Sequence, residues 1–453
     1  MAESVLERRL GMKEATALNV LNMIGVGPFI TLPLLFTALG GPQALLGWLF
    51  AFVVTAADGL VWSELGARYP ESGGTYAYLR EAYGSRWGRL ASFLFIWQFV
   101  FSGPLEIASG YIGFVSYLGY VWPDKSPIQN AVVIVSLGLL NVFLLFRGIG
   151  QIGRITLILS VGVIATIAIV LFLGVLGFDP KLAFDLPEGA FTPSLAFLLG
   201  LGAASRIGVY DYLGYYSVCY VAAEVRQPER VLPRSILGSL VFVALVYVGL
   251  SLAVSGSVSW REFVPASETR SVSDFVVSVF VERTAGKTAA QIFTALILWT
   301  TFGSVFVLLL GYSRIPFAAA RDGVFFAPFA KLHAVRGCPS VSLVVLGLIA
   351  IAAAFFPLDA VIGALLTTRI LAQFLAQIGA VVLVRRRGGA IPFRMWLYPV
   401  PCVVAALGWA FLFATTGFDV LLSGVMALVL GLVAFLGWSW RAGAWPFGQS
   451  RHS

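Results

Sequence analysis

An all-α integral membrane protein is the fold class this sequence predicts, and three observations predict it. Of 453 residues, 59% are hydrophobic and only 11% are charged, with a mean hydropathy of +0.91. A soluble chain of this length could not hide so much apolar surface. Apolar runs close to the roughly 20 residues that cross a bilayer core can be laid out twelve times. The basic residues gather in alternate connections between those runs, as a membrane orientation requires.

The first run, 17–38, is broken in its middle by Gly25-Val26-Gly27-Pro28. A spanning helix gains nothing by breaking at mid-depth, because each freed backbone group finds no water there and costs several kcal/mol. The turn at Gly40-Gly41-Pro42 leaves almost no loop and sets the second run, 42–65, antiparallel to the first. Asp58 lies inside that second run. The third run, 88–118, exceeds the crossing length, which predicts tilt or interruption; it carries Glu106 just after Gly103-Pro104. Runs at 128–146 and 154–177 follow, the latter with Ser160 and no Lys or Arg after Arg154. The sixth run, 194–224, is over-long again and is interrupted at Gly214 within Asp211-Tyr212-Leu213-Gly214-Tyr215. Runs at 236–256, 289–313, 340–357, 360–384 (holding Arg369), 396–416 and 419–440 complete the set. Two interrupted runs in corresponding places of two halves point to the binding site of a secondary transporter.

Of the 30 Lys and Arg residues, Arg206 and Arg369 fall in the interior of runs, while Arg89 and Arg154 stand at run ends and count with the adjoining connections. Lys125, Lys181, Arg261, Arg270, Arg283 and Lys287 fall in one set of connections, leaving 22 in the other set and the two tails. This bias predicts both termini in the cytoplasm and an even number of spans. The N-terminal stretch mixes acids and bases without a short apolar core, so it reads as a cytoplasmic tail and not a signal peptide. The net charge of +8 is spread over many short loops, which orients a membrane protein and excludes a nucleic-acid partner. Cys219, Cys338 and Cys402 stand far apart, with no disulfide framework or metal spacing. His333 and His452 fall in a loop and a tail, which excludes an intramembrane histidine relay. No cofactor or metal is expected. An enzyme would need convergent His, Ser/Lys or paired carboxylates, and no run supplies them.

The chemistry of a helix break is directional, with partial positive charge at a helix N-terminus and negative charge at its C-terminus. The inner half of the first span ends near Met23-Ile24-Gly25, so its carbonyls are placed to receive an ammonium. The outer half begins near Gly27-Pro28-Phe29, where free N–H groups are placed to hold a carboxylate, and proline suits that first turn. The sixth span runs the other way, and its carbonyls near Tyr212-Leu213-Gly214 add to the ammonium site. Tyr210, Tyr212, Tyr215 and Tyr216 wall the pocket or gate it. The predicted substrate site is therefore Ile24, Gly25, Val26, Gly27, Phe29, Glu106, Tyr212, Gly214 and Tyr215. Glu106, costly as an anion at mid-depth, is a candidate proton carrier or holder of a substrate cation. Asp211 and Arg206, five apart and so not on one helical face, are candidates for gating or pairing. Asp58 and Arg369 read as structural charges paired inside the bundle.

Four segments resemble the amino acid–polyamine–organocation superfamily: Gly25-Val26-Gly27-Pro28-Phe29; Ser63-Glu64-Leu65-Gly66-Ala67-Arg68-Tyr69-Pro70-Glu71-Ser72-Gly73-Gly74-Thr75-Tyr76; Ala223-Glu224-Val225-Arg226-Gln227-Pro228-Glu229-Arg230 with Pro233-Arg234; and Ser313-Arg314 with Ala320-Arg321-Asp322-Gly323. They occur in family order over about residues 15–400. The resemblance implies a LeuT-type fold, with helices 1–5 (residues 17–177) and 6–10 (194–384) as inverted repeats. Two added helices at 396–440 and cytoplasmic tails at 1–16 and 441–453 complete the expected layout. An acidic residue in helix three is similar to the family's polyamine branch. Glu224 and Arg230 are implied to lock the inner side, with Arg68 and Arg321 as partners. Some proton-coupled relatives carry a Lys in helix five that is absent here, and Ser160 is compatible with a sodium-like site; the proton is nonetheless the coupling ion expected, on account of Glu106. The function implied is a secondary transporter of amino acids working by alternating access in a plasma membrane, with compact loops in the style of a bacterial inner membrane. A polyamine permease, an amino-acid exchanger and a non-transporting nutrient sensor are the alternatives. Nothing in the sequence sets an oligomeric state.

Overall fold

A computed structural model describes residues 6–356, 368–441, 443 and 445–447. Helices α1 (Met12–Met23) and α2 (Gly27–Leu39) are the two halves of the first run, bent by 45° across residues 24–26. Gly40, at φ 74°, ends α2 and turns the chain into α3 (Leu45–Arg68), as the absence of a loop requires. The third run belongs to a 44-residue helix, α4 (Thr75–Leu118), in which Gly84 has non-helical backbone and separates a short first segment from the long span. Then come α5 (Pro127–Leu145), α6 (Ile149–Leu176), the turn-length α7 (Pro180–Ala183) and α8 (Leu195–Tyr212). The sixth run does not continue as a helix beyond Tyr212. It crosses residues 213–216 in irregular backbone and forms one turn as α9 (Ser217–Tyr220) and another at Ala222–Glu224; the seventh run follows in α10 (Pro228–Ser255).

The connection after α10 carries α11 (Arg270–Ser273) and α12 (Val276–Ala285). There Arg283 grips Glu262 through two hydrogen bonds of 3.0 and 2.7 Å, and that hydrogen bonding holds the Glu262 carboxyl below its ordinary range. Helices α13 (Lys287–Tyr312), α14 (Arg314–Arg321) and α15 (Ser340–Ala353) follow. A wide turn at Ile370–Leu375 leads into α16 (Ala376–Arg387), and α17 (Val400–Ala414) and α18 (Phe418–Arg441) close the chain. The start of the tenth run lies outside the described residues.

Seven helices among the described residues are long and apolar enough to cross a membrane, and the bent α1–α2 pair makes an eighth. The remaining runs hold α8, α15, α16 and α17; of these α15 and α17 are apolar but only 14 and 15 residues long. This is a multi-pass helical membrane protein. The broken elements sit at its centre: α1 packs on α6, α10 and α13, α2 packs on α8, and α3 packs on both α8 and α10. Aromatic contacts fasten this core, with Trp62 stacked on Tyr216 at 4.3 Å and Phe374 on Trp409 at 3.9 Å between ring centroids.

Candidate functional site

The two breaks face each other, and side chains of one fill the gap in the other. Gly214 has φ 109°, a conformation open to glycine and strained for other residues; any Cβ there would also strike Asn22. The Asn22 side chain donates to Ser217 Oγ, and Asn19 Oδ1 accepts from the Val218 amide at 3.0 Å. The Tyr247 hydroxyl on α10 lies 2.6 Å from the Met23 carbonyl and 2.9 Å from the Asp211 carbonyl. Ser304 on α13 donates to the Asn22 carbonyl at 3.2 Å. The C-terminal carbonyls of both half-helices, expected to stand open toward an ammonium, therefore already carry hydroxyl donors. Burial without water demands such partners.

At the head of α2 the expectation also shifts. Pro28 has no N–H, and the amides of Phe29 and Ile30 turn back to the Val26 carbonyl at 3.0 and 3.3 Å. The amides of Gly25, Val26 and Gly27 have no acceptor among the described residues. The positive end of α2 is thus presented by residues 25–27, two residues before the expected Gly27-Pro28-Phe29. A cavity of about 40 Å³ lies against these amides, lined also by Asn22, Glu106, Ser109, Tyr210, Asp211, Thr301 and Ser304. It has room for roughly three water molecules, less than any amino acid needs.

Two carboxylates reach this cavity in opposite circumstances. Glu106 is 5% exposed and faces Arg369 Nη1 at 2.5 Å, while the Tyr312 hydroxyl also donates to it. Arg369 extends the network to Ser102, Tyr216 and Tyr312 at 3.3, 3.4 and 3.1 Å. Asp211 is 3% exposed. Its Oδ2 accepts from Thr31 at 2.5 Å; among the described residues no cation pairs with it and its Oδ1 has no hydrogen-bond partner, and that oxygen occupies the place a Cβ on Gly27 would take.

The structure therefore brings together Gly25, Val26, Gly27, Glu106 and Asp211 from the predicted set. The others stand elsewhere. Ile24 and Phe29 face away, into a small apolar gap with Pro28, Val170, Val246 and Leu250. Tyr212 packs edge-on against Trp48, Tyr215 donates to Asp58, and Gly214 forms the turn. Arg206 does not pair with Asp211; it donates to the Thr415 carbonyl at 2.5 Å. Ser160 donates to the Thr156 carbonyl of its own helix at 2.8 Å and does not line the cavity. Arg369 is paired within the bundle, as expected of a structural charge, but its partner is the site residue Glu106. Sequence reasoning missed Asn22, Thr31, Tyr247, Thr301 and Ser304. A signal for them existed in the polar residues at helical spacing, Asn19 with Asn22 and Thr301 with Ser304.

Below the site, Glu224 binds Arg314 through bonds of 3.3 and 3.1 Å, both side chains at most 3% exposed. This corrects the expected partners: Arg68 instead donates to the Gly388 and Ala390 carbonyls, and Arg321 lies over the Phe317 ring. The Glu224 carbonyl accepts the amides of Arg9 and Leu10, each at 2.9 Å, tying the N-terminal segment to this point. The pair borders a basic cavity of about 900 Å³ on the N-terminal side, lined by Arg9, Arg147, Arg154, Arg336 and Cys338; none of the break residues reaches it.

Comparison with known proteins adds a lineage to this geometry. A family profile described as amino acid permease matches residues 10–435. An uncharacterized transporter of Mycobacterium tuberculosis is 30% identical over 325 residues, covering 70% of this chain and 67% of the relative. The serine/threonine exchanger SteT of Bacillus subtilis is 24% identical over 327 residues, or 72% and 70% of the two chains. The branched-chain amino acid permease BcaP of Lactococcus lactis is 26% identical over 434 residues, 90% of each chain.

Proposed function

Since this chain belongs to the amino acid permease family, within the amino acid–polyamine–organocation superfamily, we propose that it carries neutral amino acids across the membrane by alternating access with a proton as co-substrate. The protein is a membrane transporter and not an enzyme. One observation carries the finer reading: three consecutive amides without acceptors, at residues 25–27, head a helix at the wall of a closed cavity in the middle of the bundle. Such a head binds a carboxylate. The carbonyls of Asn22, Met23 and Asp211, now held by Ser304 and Tyr247, are the acceptors an ammonium would win by exchange.

Neutral substrates are favoured over polyamines because Arg369 already occupies the place a substrate cation would take beside Glu106. The names of two relatives, an exchanger of serine and threonine and a permease of branched-chain amino acids, support the same choice. A cavity of about 40 Å³ is the closed stage of the cycle, and the Glu224–Arg314 pair closes its N-terminal side. The loop charge bias supports cytoplasmic termini, and the compact loops support a bacterial inner membrane. The two carboxyl groups at the cavity wall, Glu106 and Asp211, support the proton as the coupling ion.

The test is uptake by the full chain in proteoliposomes of each proteinogenic L-amino acid and of putrescine, with and without an inward proton gradient. Accumulation of neutral amino acids, increased by the gradient, is expected. Accumulation of no amino acid, or of putrescine alone, would overturn the proposal, and accumulation driven only by sodium would replace the coupling ion.

A further inference from the structure

We propose that Asp211 is the site of the coupling proton, and that the substrate's own carboxylate is what loads it. The inference deepens the transport reading and rests on it. The Asp211 Oδ1 atom lies against Gly27, beside the amides assigned to the carboxylate, and has no hydrogen-bond partner among the described residues. Two carboxylates sharing such a spot cannot both stay ionised. Seating a substrate carboxylate on residues 25–27 therefore requires a proton on Asp211, and losing either one favours losing the other. The proton comes from water on the side where the site is open, binds Oδ1, and leaves to water on the opposite side with the substrate. No bond other than O–H forms or breaks.

The surroundings single out this residue. From α2, Gly27 and Thr31 face it; from α10, Tyr247 touches its carbonyl; from α13, Thr301 and Ser304 line the same cavity; on α8 itself, Tyr210 and Tyr212 flank it. From α4 comes Glu106, the other acid of the cavity, and its charge is met by Arg369 from the chain before α16. No Lys, Arg or His pairs with Asp211 among the described residues. Glu106 is met by a guanidinium; of the two acids lining the cavity, Asp211 is the one whose charge is left uncompensated among the described residues, and a buried uncompensated charge is resolved by a proton or by a cation.

The measurements use Asp211→Asn, Asp211→Glu and Glu106→Gln in full-length protein. With one proton per amino acid, each pH unit of gradient supports about tenfold accumulation in the wild type. Asp211→Asn is expected to exchange preloaded amino acid, more slowly and without pH dependence, and to accumulate none. Asp211→Glu should keep accumulation with a displaced pH profile, which shows that the carboxyl and not the fold is at issue. Glu106→Gln should lower uptake by a similar factor at every pH. Infrared difference spectra between acid and alkaline pH read the proton without transport: the carbonyl band of protonated carboxyls should appear in the wild type and lose one group's component in Asp211→Asn. Gradient-driven accumulation by Asp211→Asn, loss of its exchange along with accumulation, or an unchanged infrared band would each overturn the assignment. A wild type that transports no amino acid but shows the band would sink the transport reading alone.

Discussion

At the scale of single residues, Gly27 has a sharply defined job. Its missing Cβ is the space that Asp211 Oδ1 fills, so Gly27→Ala forces the carboxylate or the α2 head to move. Overpacking of this kind costs about 1–3 kcal/mol, and a misplaced head loses at least about tenfold in uptake for each 1.4 kcal/mol. A lowered thermal midpoint with a sharp fall in amino acid uptake is the expected outcome. In Gly27→Ala/Asp211→Ala the clash is gone, and the midpoint should recover most of the loss. An alanine at 27 that leaves both stability and uptake untouched would show that the close approach is incidental. Much at this scale was legible in the sequence. Gly25, Gly27, Glu106 and Asp211 were visible because glycine pairs and acids are rare and costly in apolar runs. Thr31, Ser304 and Tyr247 were not, because hydroxyls are cheap to bury and look alike whether they bond their own helix or a neighbour's broken end. The pairing of Glu106 with Arg369 was hidden for another reason. Two opposite charges in a dry interior must be neutralised, yet sequence separation says nothing about which of Asp58, Glu106 and Asp211 takes Arg369.

At the scale of elements, the interruption of α1–α2 and of α8–α9 was readable from Gly-Val-Gly-Pro and from Gly214, whereas the exact amides left open were not. Those depend on Phe29 and Ile30 both turning back to Val26, a local choice of hydrogen bonds with no sequence signature. The elements on the N-terminal side are joined by Glu224 and Arg314, each from a segment singled out in the sequence but paired differently from expectation. Truncating one partner of a buried pair costs about 3–5 kcal/mol, because the other charge is left unmet. Glu224→Gln should therefore loosen this side. The readout is Cys338, which lines the adjacent cavity yet is only 3% exposed. Its alkylation by a membrane-impermeant maleimide should be slow in the wild type and several-fold faster in Glu224→Gln. An equal rate would mean that the tie between Leu10 and Glu224 closes this side without the ion pair.

At the scale of the whole molecule, the apolar runs and their order were readable because bilayer thickness imposes one length on every crossing helix. The merging of the third run into a 44-residue helix was not, since the amphipathic stretch from Thr75 is too polar to count as membrane. In the proposed cycle, one contact connects two of these runs. Tyr247 shares one hydroxyl between the carbonyls of Met23 and Asp211, near the ends of both broken helices. It is a resident understudy for the substrate's ammonium: with the phenol in place these carbonyls need no other donor when the protein turns around. A carrier able to return empty performs net uptake, while one that must reload first is confined to exchange. Tyr247→Phe removes the understudy, and the expected outcome is net uptake into substrate-free vesicles falling several-fold more than exchange across loaded ones. Equal losses in the two assays would mean the phenol only braces the fold. One proton on one oxygen would then decide whether this protein fills a cell or merely swaps its contents.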